Sequence, residues 1–201
     1  MKDRPSPPVR ILIGGQGSCG KSTLAVTLCK ILEQNYEMRV GLHELDVHSD
    51  THGPLLGLKP WSERVKRWPL PQEAPPEVVA ECLTRFREDK SDVVIGDLPG
   101  RLENPYMEHF LDAAPYAICM ARAGDYESMS VWYDKFIQND IQIVRKVYTS
   151  QNGYSTSMAK ESDAVYINGM NRVLNMYNAY MRLLAHDIAT FCTRIAHPQL
   201  R

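Results

Sequence analysis

The sequence predicts a single α/β domain with a mostly parallel central sheet, helices on both faces and a long C-terminal helix. Three observations predict it. Short apolar runs alternate with stretches of helical periodicity along most of the chain. A glycine-rich turn joins the first apolar run to the first helical stretch. The 201 residues suffice for one well-buried core and divide poorly into two.

The first strand is Val9 to Gly14, with residues 1–8 before it a flexible lead and residues 9–201 the domain. Lys21 to Asn35 carries Leu24, Leu28, Ile31 and Leu32 on one helical face, and "RVGLHEL", Arg39 to Leu45, is the second strand. A right-handed crossover makes these two strands parallel. Residues 54–76 hold six of the 13 prolines, with Trp61, Trp68 and the basic Arg64–Arg67, and read as an irregular cover over one end of the sheet.

Pro76 to Glu88 repeats Val78, Val79, Cys82, Leu83 and Phe86 at helical spacing and leads into the strand of "DVVIGDLPG". Tyr116 to Ala121 is a strand, Ser128 to Gln138 a helix and Ile141 to Ser150 a strand, for a sheet of about five parallel strands. "QNGYSTSMAKESD" is a polar loop. From Ala164 to Ile195 apolar residues recur mostly at three or four positions (Val165, Met170, Val173, Leu174, Tyr177, Met181, Leu184, Ile188, Phe191), which predicts one long helix and no further strand.

Composition narrows the partners. With 23 Lys plus Arg against 24 Asp plus Glu, no net charge draws the whole chain to nucleic acid or an anionic membrane. No run approaches the roughly 18 apolar residues of a membrane span, and "MKDRPSPPVR" lacks the apolar segment of a signal peptide, so the chain reads as cytoplasmic with no membrane partner. The five cysteines lie far apart and read as reduced, buried hydrophobes.

Gly15-Gln16-Gly17-Ser18-Cys19-Gly20-Lys21-Ser22 satisfies G-x-x-x-x-G-K-[ST] between a strand and a helix, followed by Thr23. In such a loop successive backbone N–H groups turn inward around phosphate oxygens and the helix N-terminus adds its positive end. Lys21 reaches the outer phosphates and the Ser22 hydroxyl can ligate Mg²⁺. Asp97, at the end of the apolar "VVIGD", is the acidic residue such a site needs near its magnesium. Gly100 completes an Asp-x-x-Gly spacing whose glycine N–H can contact a terminal phosphate and move when it leaves.

The second strand ends in "HELDVHSD", which places Glu44 and Asp46 two apart at the carboxyl edge of the sheet beside the glycine turn, where ligands collect in open α/β folds. A carboxylate there can orient an attacking water or support the metal. His43, His48 and His52 show no compact ligand spacing and read as turn histidines facing solvent.

Across residues 9–150 these pieces resemble the ParA/MinD branch of P-loop NTPases, in the SIMIBI class that also holds the nitrogenase iron protein and Mrp-type iron–sulfur carriers. "RVGLHELDVHSDTHGPLLGL" is similar to the family's second strand and following loop, with Asp46 on the position that helps activate water. "VVIGDLPG" is similar to its Walker B strand, and "YAICMARAGDYESMSVWYDKF" to its next strand and helix.

The chain departs from that pattern at four points. Where relatives carry a signature lysine that crosses a nucleotide-sandwich dimer, it carries Gln16. The family's base-reading asparagine is represented only by Thr149, Ser150 and Asn152. The usual final strand is replaced in this reading by the long helix. The cluster-binding cysteine pair of the Mrp branch is absent.

The resemblance implies an ATP-binding switch protein with slow Mg²⁺-dependent hydrolysis, acting with a protein partner in partitioning or positioning DNA or protein cargo. A nucleotide-dependent homodimer and DNA are further partners it implies, although Arg172, Arg182, Arg194 and Arg201 form no continuous basic stripe. Lys21, Asp46 and Asp97 are the candidate catalytic residues. Nucleotide contacts fall to Gly15–Thr23 and Gly100, and metal contacts to Ser22, Asp46 and Asp97.

Two alternatives stand beside it. In a small-molecule kinase, the early carboxylate would serve as base and Arg64, Lys66, Arg67, Arg101 or Arg122 would hold acceptor or phosphoryl group. In an adaptor, the chain would hold ATP without turnover.

Overall fold

A computed structural model of the chain describes residues 7–47, 50–63, 74–150, 163–168, 170, 176 and 178–196. Its strands are β1 (Val9–Gly15), β2 (Val40–Glu44), β3 (Val93–Asp97), β4 (Tyr116–Arg122), β5 (Gln142–Ser150) and β6 (Ala164–Asn168). Its helices are α1 (Lys21–Tyr36), α2 (His52–Leu55), α3 (Pro76–Glu88), α4 (Met107–Leu111), α5 (Tyr126–Gln138) and α6 (Ala179–Ala196), with a 3-10 turn at Trp61–Glu63. The six strands form one sheet in the order β2-β3-β1-β4-β5-β6, and every neighbouring pair is parallel.

The central strands are apolar throughout because helices cover both faces. One core layer joins Ile11, Ile13, Ile95 and Ile118 to Leu24, Leu28 and Ile31 of α1 and Met181, Leu184 and Ile188 of α6. The opposite layer joins Leu12, Val94 and Cys119 to Leu83 and Phe86 of α3, Phe110 of α4 and Trp132 and Phe136 of α5. Four cysteines are buried, Cys82 is half-buried, and none of the five is in a disulfide.

Two expectations need correction. Ala164–Asn168 is a strand, not the start of the last helix, and pairs with β5 from Lys146↔Ala164 to Ser150↔Asn168. Val165, Tyr166 and Ile167 are contiguous and all buried, as in a strand covered on both faces. A contiguous apolar run also satisfies three- and four-residue spacing, so periodicity alone misreads it. The sheet therefore has six strands, and the C-terminal helix is confined to Ala179–Ala196.

The second correction concerns adjacency. β3 lies between β1 and β2, so the strand that carries Asp97 separates the glycine turn from the strand that carries Glu44. Arg64, Lys66, Arg67, Trp68, His48, Asn152, Val173, Leu174, Tyr177, Arg172 and Arg201 lie outside the described residues, as do residues 1–6 and the polar stretch 151–162.

Candidate functional site

β1 ends at Gly15, residues 16–20 form the turn, and α1 begins at Lys21, as the motif requires. Gly17 and Ser18 are exposed at the tip, while Cys19 is buried beneath it. The carbonyl of Cys19 accepts a 2.6 Å hydrogen bond from Thr149 Oγ1 at the end of β5, fastening the turn to the sheet. Burial pushes the Cys19 thiol up, against the opposing charge of Lys21, so it stays protonated.

Gly20 caps α1 with φ of 95°, a left-handed conformation that disfavours a side chain. No side chain caps α1 and no acidic residue sits in its first turn. Its leading N–H groups and dipole are thus open to an anion without competition from the helix's own side chains. Lys21 is buried, and its Nζ donates to the carbonyl of Gln16 at 3.1 Å, which holds the ammonium over the turn. Ser22 is half-buried in the first turn and Thr23 is buried behind it.

Gly100 brings β3 to this turn. A Cβ placed on Gly100 would stand 2.7 Å from Gly17 Cα and 3.1 Å from Lys21 Nζ, so only glycine permits the approach. The Asp-x-x-Gly segment after β3 therefore lies directly against the glycine turn.

Gln16 has a defined role. Its amide N–H₂ donates to Asp125 Oδ2, and its carbonyl accepts from Ser128 Oγ at 3.0 Å. Asp125 also caps α5 by accepting from Ser128 N at 3.0 Å. Burial raises the Asp125 carboxyl. The hydrogen bonds from Ser128 and Gln16 and the charge of Arg122 outweigh it and hold the group below the usual range. An amide both donates and accepts, which this position uses; a lysine only donates. The side chain is thus committed to α5 of its own chain.

At the strand ends the structure assembles a group that spacing did not reveal. Glu44 and Asp97 are register partners on β2 and β3. The chain then returns through α2, so that His52 Nε2 lies 3.1 Å from Asp97 Oδ2. One donor atom from each of Glu44, His52 and Asp97 lies within 4.8 Å of the others.

His52 is only 7% exposed, which corrects its reading as a solvent-facing turn histidine, and Asp97 is 2% exposed. His43 is corrected likewise: it is half-buried with Nε2 2.8 Å from Asp89 Oδ2. Asp46 falls beyond β2 rather than on it, is half-buried, and is not part of the three-residue group.

The Glu44 carboxylate accepts from the backbone N–H of Thr51 at 2.6 Å and of His52 at 3.4 Å. Burial nevertheless pushes its carboxyl up to about 7, against the opposing influence of His52 and the Thr51 N–H. Burial lowers His52, and the Asp97 hydrogen bond and the charges of Asp97 and Glu44 reverse that, leaving it raised. Asp97 Oδ1 is buried with no hydrogen-bond partner among the described residues. A buried carboxylate oxygen left in this condition is costly unless a cation or donor meets it.

No protein-family model matches the chain, and no curated protein matches it in sequence. Solved structures do match in three dimensions. The septum site-determining protein MinD of Pyrococcus horikoshii OT3, complexed with Mg-ADP, aligns with a TM-score of 0.68 at 14% identity, over 94% of this chain and 99% of that one. The cell division ATPase MinD of Pyrococcus furiosus gives 0.64 at 16% identity, over 91% and 99%. A plasmid partition protein from Borrelia burgdorferi gives 0.58 at 14% identity, over 94% and 99%. The chain has the P-loop NTPase fold of MinD and the ParA-like partition proteins.

Proposed function

We propose that this protein is a nucleotide switch of the MinD/ParA kind, which binds ATP with Mg²⁺ at Gly15–Thr23 and hydrolyses it slowly. The approach of Gly100 to Gly17 and Lys21 carries the reading. It connects the strand end bearing Asp97 to the cradle, so a change at the outer phosphate is felt by the segment after β3. The P. horikoshii MinD bound to Mg-ADP supports the choice of ligand on this fold.

In this reading the uncapped start of α1 and the turn's N–H groups hold the phosphates, and Lys21 offsets their charge. Ser22 and Asp97 would hold the magnesium, as the resemblance implies. The ion neutralises charge on the outer phosphates. Asp46 is assigned to the attacking water, as the resemblance implies. The ATP-bound form recruits a protein partner in the cytoplasm, for positioning DNA or protein cargo. Gln16 brings no cation across a homodimer, so any such dimer would depend on other contacts.

A second reading, a small-molecule kinase, is favoured by one observation: the half-buried Glu44 carboxylate beside Asp97 is placed to take a proton from an acceptor hydroxyl. Single-turnover hydrolysis with wild type, Asp46→Ala and Asp97→Asn tests the choice. A switch hydrolyses ATP slowly alone and both substitutions slow it. A kinase consumes ATP only with an acceptor present. Equal, negligible rates in all three proteins, with or without acceptor, would remove both.

A further inference from the structure

Glu44, His52 and Asp97 form a compact donor set, of which a nucleotide's magnesium accounts for Asp97 alone. Sites that hold Mg²⁺ beside phosphates are built from oxygen donors, because Mg²⁺ retains water and prefers carboxylate and phosphate ligands. Here a buried imidazole nitrogen stands among the carboxylates.

The spacing fits a shared ion. Two ligands each about 2.1 Å from one metal, at roughly tetrahedral to octahedral angles, stand about 3.0–3.4 Å apart. His52 Nε2 and Asp97 Oδ2 are 3.1 Å apart. The third donor, on Glu44, lies within 4.8 Å of both and is oriented by the backbone N–H groups of Thr51 and His52.

Two further facts point to a cation. Asp97 is 2% exposed, yet its Oδ1 has no hydrogen-bond partner among the described residues. The Glu44 and Asp97 carboxylates also stand side by side in register where water screens them little, so a positive ion between them offsets their mutual repulsion.

We propose that Glu44, His52 and Asp97 form a site for a divalent transition-metal ion, one that accepts imidazole nitrogen, in preference to Mg²⁺. The site uses one histidine and two carboxylates from the ends of β2 and β3 and the start of α2. All three donors belong to the chain itself, so the proposal does not depend on ATP turnover.

The test uses the full chain, stripped with chelator and free of nucleotide, and titrated with Co²⁺, Zn²⁺ and Mg²⁺. Co²⁺ reports the site by its visible absorption, and Zn²⁺ and Mg²⁺ are read by displacement. The expected result is one Co²⁺ per chain, displaced by Zn²⁺ at concentrations at least a hundredfold below those of Mg²⁺. His52→Asn and Glu44→Gln each weaken the site tenfold or more. His43→Asn serves as control, because its pair with Asp89 lies outside the cluster, and is expected to leave binding unchanged.

Melting curves in chelator establish that each variant is folded, and wild-type displacement stands even if a variant is not. Displacement by Mg²⁺ at concentrations similar to Zn²⁺ would overturn the proposal. So would absence of Co²⁺ binding, or a site that survives both His52→Asn and Glu44→Gln in folded protein.

Discussion

Glu44 and Asp97 stand side by side in register on parallel strands, and the backbone of Leu45 donates to the carbonyl of Asp97 at 2.9 Å. Their carboxylates consequently leave the same end of the sheet within reach of His52. That relationship, with the glycine turn one strand further along, sets the chemistry available at this edge.

Lys21→Ala removes the ammonium held over the turn by the Gln16 carbonyl. We expect ATP affinity to fall by about two orders of magnitude, consistent with loss of charged phosphate contacts of roughly 2–3 kcal/mol. Fluorescent-nucleotide titration measures it. Unchanged affinity would remove nucleotide binding at this loop.

Gly100→Ala puts a methyl group 2.7 Å from Gly17 Cα, against backbone that has little freedom to retreat. The expected cost is about 1–3 kcal/mol in stability. Nucleotide binding should weaken as well, because the two segments can no longer touch. A melting temperature and nucleotide affinity equal to wild type would show that the contact is not needed.

Gln16→Ala leaves Asp125 and Ser128 without their partner on the turn. We expect about 1 kcal/mol of destabilisation and faster amide exchange in residues 15–20. Gln16→Lys keeps a donor for Asp125 but takes the acceptor from Ser128, and should fall between the two. If Gln16→Ala exchanges no faster than wild type, the tie between the turn and α5 does not hold the loop.

Asp89 supplies the pH dependence. Burial raises its carboxyl, but hydrogen bonds from Ser91 and His43 prevail and hold it below its ordinary 3.8. A folded-state value below the unfolded one means that the unfolded chain binds the proton first. The contribution is therefore complete above the unfolded value and disappears as pH falls through the folded one. Asp89→Asn should be less stable by about 1 kcal/mol near neutrality, with the difference closing as pH falls below the ordinary carboxylate range. Denaturant unfolding at two pH values reads it, and a difference that persists in acid would contradict the assignment.

Phe136 of α5 is fully buried in the layer beneath the site. Phe136→Ala should cost about 3–5 kcal/mol. Since Asp125 at the cap of α5 and Ser128 within it hold Gln16, the loss should reach the turn, visible as faster exchange there than in α3.

The glycine turn, its lysine, Asp97 and the strand–helix alternation up to β5 were legible in the sequence because each is a local property. A turn that needs glycine, an apolar run and a helical stripe are written in neighbouring residues. β6 was hidden because "AVYIN" is short and its first four residues are continuously apolar. Its five residues become a strand only by finding the β5 edge, a partner distant in sequence.

His52 and Gln16 show the same division more sharply. The sequence determined that an amide stands second in the glycine turn, and that a histidine follows the second strand. Only the tertiary structure decided that the amide is held by Asp125 and Ser128, more than a hundred residues away, and that the histidine turns inward onto Asp97. The physical reason is that hydrogen-bond partners and burial are set by where the chain returns, and strand order in the sheet governs that return. Spacing along the chain records the donors; the fold alone assigns what they meet.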